Sequence, residues 1–162
     1  MLGVERPTYV DIYPPMVDLE LDYPIARGKE LTIASAAPLG QAYVDVLKRG
    51  LSDRWMDTYP QEGKSSGAYC TGVYGVHPFV LMNYQDDYES VSTLAHEWGH
   101  ALHTWLAAEA QPFPSADYDT FMAEIASTFN EALLLDHMLK ESKSDEERLY
   151  YLGSALEGLR GT

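Results

Sequence analysis

Positive charge is scarce in this chain. Its 162 residues carry 11 Lys and Arg against 25 Asp and Glu, for a net charge of −14. Between Ser65 and Leu139 there is no Lys or Arg at all, while ten acidic residues fall there. A phosphate backbone needs cationic side chains, so nucleic acid is excluded as a partner. The same field favours a bound dication and cationic ligands. Gly63-Lys64-Ser65 resembles the end of a phosphate loop, but Thr58 stands where that loop needs its earlier glycine, so nucleotide binding is rejected. Cysteine is nearly missing too. Cys70 stands alone, so no intrachain disulfide can form, which suits a reducing cytoplasm. There is no run of 18 apolar residues, so no membrane-spanning helix is expected. The stretch Met1-Leu2-Gly3-Val4-Glu5-Arg6-Pro7 shows no basic segment leading into an apolar one, so no export leader is expected.

What remains is an ordinary globular composition, 46% apolar, long enough for one core. A single domain over residues 1–162 is expected. Asp11-Ile12-Tyr13-Pro14-Pro15 reads as part of an irregular lead-in over residues 1–24. Two short helices are expected at 25–36 and 39–51, broken at Pro38. Residues 57–67 read as loop, and 68–74 and 78–84 as strands, the second a continuous apolar run. His77 between them is a loop residue rather than a ligand. Asp86 with Glu89 reads as a capping box opening a helix. Val91, Leu94, Trp98, Ala101, Leu102 and Trp105 carry that helix to about Glu109, where Gln111-Pro112-Phe113-Pro114 stops it. A further helix runs from Asp117 or Asp119 to about Lys140. Ser144-Asp145-Glu146-Glu147 is a second capping box, opening a last helix with Leu149, Leu152, Leu156 and Leu159. The fold class is therefore mainly α with a small β-sheet. Trp98, Trp105 and the apolar side of the last helix are the expected sources of exposed apolar surface.

The chemistry is concentrated in His96-Glu97-Trp98-Gly99-His100, an H-E-x-x-H motif. On a helix, residues i and i+4 share a face about one turn apart, so both imidazoles can reach one Zn²⁺. Glu97 then sits beside the ion, placed to act as general base towards water. A packing-only role for the histidines stays open until a third ligand is found. His103 shares their face but lies seven residues from His96, roughly 10 Å along the axis. Donors about 2.1 Å from one ion lie much closer together than that. His103 is therefore expected beside the site, not on the metal. A third His ten residues after the first is excluded, because position 106 is Leu. A carboxylate from the next helix remains, and Glu124, set among Phe121, Met122 and Ile125, is the strongest candidate. Glu131, seven residues on, could hydrogen-bond a ligating imidazole, or could simply be solvated.

Four stretches together resemble the oligoendopeptidase F family, relatives of thimet oligopeptidase. They are Lys64-Ser65-Ser66-Gly67-Ala68-Tyr69, Pro78-Phe79-Val80-Leu81-Met82-Asn83-Tyr84, Thr93-Leu94-Ala95-His96-Glu97-Trp98-Gly99-His100 and Ala123-Glu124-Ile125-Ala126-Ser127-Thr128-Phe129-Asn130-Glu131. The likeness extends over about residues 8–160. It implies a zincin-like catalytic core, cleavage of short peptides, and a cytoplasmic location. It also implies one Zn²⁺ on His96, His100 and Glu124, with Glu97 as catalytic base. Family members are several times longer, with an N-terminal helical half walling a channel and a His and Tyr cluster well after the zinc Glu. The resemblance thus implies an internal piece whose partners are the N- and C-terminal parts of such an enzyme.

The reading is a zinc metalloendopeptidase core with a peptide held by strand-edge pairing at 78–84 or 68–74, the likeness favouring the latter. A peptidyl-dipeptidase is a rival, but it should need a cation for the substrate carboxylate, and 65–139 offers none. A truncated zinc-binding module without activity is the rival from another class.

Overall fold

The computed structural model describes residues 17, 19 and 21–161, with the side chains of 159–161 left aside. The lead-in therefore lies largely outside the described residues, as does the Leu159 side chain. Helix-forming stretches fall where apolar periodicity put them. They are α1 (Ile25–Ser35), α2 (Gln41–Ser52), α3 (Tyr88–Ala110), α4 (Thr120–Glu141) and α5 (Asp145–Gly161). A 3₁₀ turn at Ala37–Leu39, with Pro38 inside it, separates the first two. Another at Phe113–Ser115 lies between α3 and α4.

The capping pair expected at α5 forms, whereas at α3 only a one-sided N-cap forms, one residue later than expected. Asp87, not Asp86, caps α3: its carboxylate accepts from the Ser90 amide at 2.7 Å. Asp86 instead takes φ 60° in the turn before it. Its carbonyl accepts from the Tyr23 amide at 2.7 Å. At α5, Ser144 Oγ accepts from the Glu147 amide at 3.2 Å, while the Glu147 carboxylate accepts from the Lys143 amide at 2.7 Å.

The sheet has three short strands in the order β1 (Met56–Asp57), β3 (Phe79–Leu81), β2 (Tyr69–Thr71). β1 pairs parallel to β3, with Met56 opposite Val80. β2 pairs antiparallel, with Cys70 also opposite Val80. Two expectations change here. Residues 56–57 form a strand that no local signal announced, because its partner lies 24 positions away in sequence. The strand at 78–84 is central, with both neighbours paired, so it offers no free edge. β1 and β2 are the edge strands.

The chain divides into two compact units, one Leu21–His137, the other including residues 138–161. In the first, α3 is the core helix: Val91, Leu94, Ala95, Trp98, Ala101 and Leu102 are essentially inaccessible. Trp98 was expected at the surface but is 0% exposed, because Gly50 on α2 lets its ring lie flush. A Cβ at Gly50 would come within 2.5 Å of that ring. Trp55 stacks on Trp98 and Trp105 at 6.3 and 5.3 Å, with Arg49 over Trp55 and Trp105. The arrangement is mainly α with a small sheet, a zincin-like core in which a Glu-bearing helix follows the H-E-x-x-H helix.

Candidate metal centre and active site

α3 supplies His96, Glu97 and His100, and α4 supplies Glu124 and Glu131. The two helices meet closely because position 99 is glycine. A Cβ there would lie 2.7 Å from the Ala126 carbonyl oxygen and 2.7 Å from Ser127 Cα. A glycine in mid-helix costs helix stability, about 1 kcal/mol against alanine. Here it admits the backbone of α4.

At this crossing three donors converge. His96 Nε2 and His100 Nε2 are 3.1 Å apart. Glu124 Oε2 lies 3.4 Å from the first and 3.6 Å from the second. Donors about 2.1 Å from one ion at tetrahedral angles lie about 3.4 Å from one another. The spacing therefore fits a single small dication, and among the described residues these three form the group able to hold one. His103, expected off the metal, is not among them. It stacks on Tyr118 at 4.0 Å, and its Nδ1 is buried without a hydrogen-bond partner. His77 stacks on Trp55 at 4.9 Å and donates to the Pro78 carbonyl at 2.8 Å, a loop residue as expected.

Partners behind the imidazoles fix their tautomers. His96 Nδ1 donates to Glu131 Oε1 at 3.2 Å, which leaves a lone pair on Nε2. A backbone hydrogen bond at Ala123 engages His100. Two ring nitrogens and a carboxylate oxygen facing one another are better satisfied by a cation than by each other. The protonation pattern follows from the same neighbours. Burial opposes charge on His96, but the Glu131 hydrogen bond and carboxylate, with Glu97 and Glu124, outweigh it and hold the ring above its ordinary value. Burial and the His96 charge hold His100 below it. Burial also lowers His103.

Glu97 is 6% exposed, and its Oε2 is buried without a hydrogen-bond partner. Burial pushes its carboxyl up to about 7; His96 opposes the shift, and Glu124 and Glu131 add to it. A buried carboxyl beside the three converging donors, with one oxygen uncommitted, can exchange a proton near neutral pH.

Sequence reasoning did not single out Ser127, Asn130 or Gly99. Ser127 Oγ donates to Glu124 Oε2 at 2.7 Å. Asn130 Nδ2 lies 3.0 Å from the Tyr43 hydroxyl and 3.3 Å from the Ala95 carbonyl, tying α4 to α2 and α3. Ser127 was within reach: Glu124, Ser127 and Glu131 share a helix face at i, i+3 and i+7. The edge strand β2 borders the site. At Gly72, just past its end, a Cβ would strike Thr104 of α3. Cys70 feels the charge of Glu97.

Comparison with known proteins agrees with this geometry. Residues 28–162 match the model of peptidase family M3. Oligopeptidase PepF of Bacillus subtilis is 42% identical, over 100% of this chain and 24% of that protein. Group B oligopeptidase PepB of Streptococcus agalactiae is 36% identical, over 100% and 27%. A crystal structure from Chlamydophila abortus is 44% identical with a TM-score of 0.84, covering 93% of this chain and 25% of that one. The chain thus spans about a quarter of the length of these relatives. Matched across most of its own length, it belongs to peptidase family M3, among the oligoendopeptidase F relatives that its four motifs resemble.

Proposed function

We propose that this chain is the zinc-binding catalytic core of an oligoendopeptidase acting on short peptides. The observation that carries the reading is the convergence of His96 Nε2, His100 Nε2 and Glu124 Oε2 within 3.1 to 3.6 Å beside buried Glu97. Two imidazoles and one carboxylate are a donor set typical of catalytic zinc. Zinc held there supplies Lewis acidity towards water and the scissile carbonyl. Glu97 is the general base: it takes the proton from the attacking water and passes it to the leaving amine. Glu131 keeps His96 in the ligating tautomer. The outer edge of β2 holds the peptide in extended form by main-chain pairing. β3, being central, cannot.

Acidic walls disfavour recognition of a substrate C-terminal carboxylate, so internal cleavage is preferred over removal of dipeptides. The segments that relatives carry beyond this quarter of their length are the chain's natural partners, and they would complete the substrate channel. The cytoplasm is the location that suits a lone cysteine. Among the described residues no helix is long and apolar enough to cross a membrane.

The test is cleavage of a quenched fluorescent peptide by the chain before chelation, after chelation and after zinc is restored. Activity that disappears and returns supports the reading. Bound zinc without turnover favours a metal-binding module that needs the remaining segments. Turnover indifferent to chelation contradicts it.

A further inference from the structure

Glu124 differs from the two histidines in how it is held. His96 and His100 sit on the core helix with side chains 25% and 16% exposed, whereas the Glu124 side chain is 46% exposed. Burial alone does not fix a carboxylate so open, and three side-chain torsions would let it swing into water. Its one side-chain hydrogen bond among the described residues comes from Ser127, which is 0% exposed and donates to Oε2 at 2.7 Å. Oε2 is the same oxygen that faces both imidazoles. A carboxylate oxygen has lone pairs enough for one hydroxyl and one cation.

Ser127 Oγ also lies 3.0 Å from the Glu124 carbonyl. That carbonyl also accepts from the Thr128 hydroxyl, and the carboxylate oxygen is the nearer and the anionic acceptor, so the Ser127 proton goes to it. Ser127 in turn sits where it does because Gly99 leaves room for its Cα.

Resting on the metal reading above, we propose that Ser127 is a positioning residue for the metal ligand. Its hydroxyl holds Glu124 Oε2 turned towards the two imidazoles before any ion arrives. It touches neither ion nor substrate, and acts only through Glu124. Hydrogen-bond partners of metal ligands commonly contribute 10- to 100-fold in affinity, and an open carboxylate puts this one at about tenfold. Ser127→Ala leaves the fold in place, because alanine is a good helix former and the carbonyl keeps its other donor.

The experiment is a zinc competition titration against a chromophoric chelator on the full chain, with thermal unfolding of the metal-free protein alongside. Wild type, Ser127→Ala, Glu124→Gln and the double variant form a cycle. Ser127→Ala is expected to weaken zinc about tenfold at an unchanged unfolding midpoint. Added to Glu124→Gln it is expected to change nothing further, because its effect passes through the carboxylate. Equal affinity of Ser127→Ala and wild type would overturn the proposal while leaving the metal reading standing. An equal loss in both backgrounds would also overturn it, by showing an effect through the fold. Absence of zinc binding by the wild type would overturn the metal reading and this inference together.

Discussion

Glu97 and Cys70 illustrate how burial sets chemistry one side chain at a time. Cys70 lies on β2 facing inward, half-buried. Burial first, and the Glu97 charge second, push its thiol from 9.0 to about 12. The neutral thiol is the form the fold favours. Its contribution to stability is therefore complete below about pH 9 and is lost as pH rises towards 12. At pH 8 the folded protein should react with an alkylating reagent at least about tenfold more slowly than the denatured chain. Equal rates would show that the thiol is not shielded. His103→Ala should alter metal affinity less than Glu131→Ala, since His103 meets Tyr118 while Glu131 bonds His96. Chelator titration of both variants checks the order. At this scale the sequence was most informative. Spacing alone brings His96 and His100 to one face, and elimination leads to Glu124. Ser127 and Asn130 carry no such mark, because their roles exist only once α4 lies across α3.

Elements were legible where their signals are local. α3 and α4 carry long apolar periods, and proline stops lie between them. The α3 cap was displaced by one residue because Asp86 and Asp87 are adjacent and equally suited; only the backbone chooses, putting Asp86 in the turn. Asp87→Ala should cost about 1 kcal/mol, read as a lower urea midpoint. Asp86→Ala should cost less, since the Asp86 backbone rather than its side chain makes the bond to Tyr23. Strands were harder. Those expected to run seven residues keep ladder pairing over three, and β1 depends on a partner distant in sequence. Gly99→Ala tests the helix crossing. A methyl has no room 2.7 Å from the α4 backbone, so α4 must retreat, carrying Glu124 and Glu131 from the histidines. Overpacking of that kind costs about 1–3 kcal/mol. It should weaken metal binding as well, and unchanged affinity would argue that α4 is not held by this contact.

Seen whole, the chain exposes more apolar surface than its charge would suggest. Phe121, Met122, Ile125 and Phe129 on α4 range from 47% to 76% exposed, and Leu149, Leu152 and Leu156 on α5 from 41% to 62%. Trp98 is not among the sources, and the α4 residues that are had not been anticipated, because periodicity identifies an apolar face without saying what covers it. The isolated chain should bind an apolar dye and self-associate more as salt rises, since screening relieves the repulsion of a net charge of −14. Sedimentation at low and high ionic strength reads this directly, and a monomer with no dye binding at either would contradict it. The account as a whole depends on one division of labour, in which Glu124 holds the metal and Glu97 moves the proton. Metal content after identical dialysis, measured for wild type, Glu97→Gln and Glu124→Gln beside a peptide assay, tests it most directly. Glu97→Gln should keep zinc and lose turnover, while Glu124→Gln should bind zinc more weakly and retain less of it; a Glu97→Gln protein without zinc beside a Glu124→Gln protein that retains it would contradict the assignment.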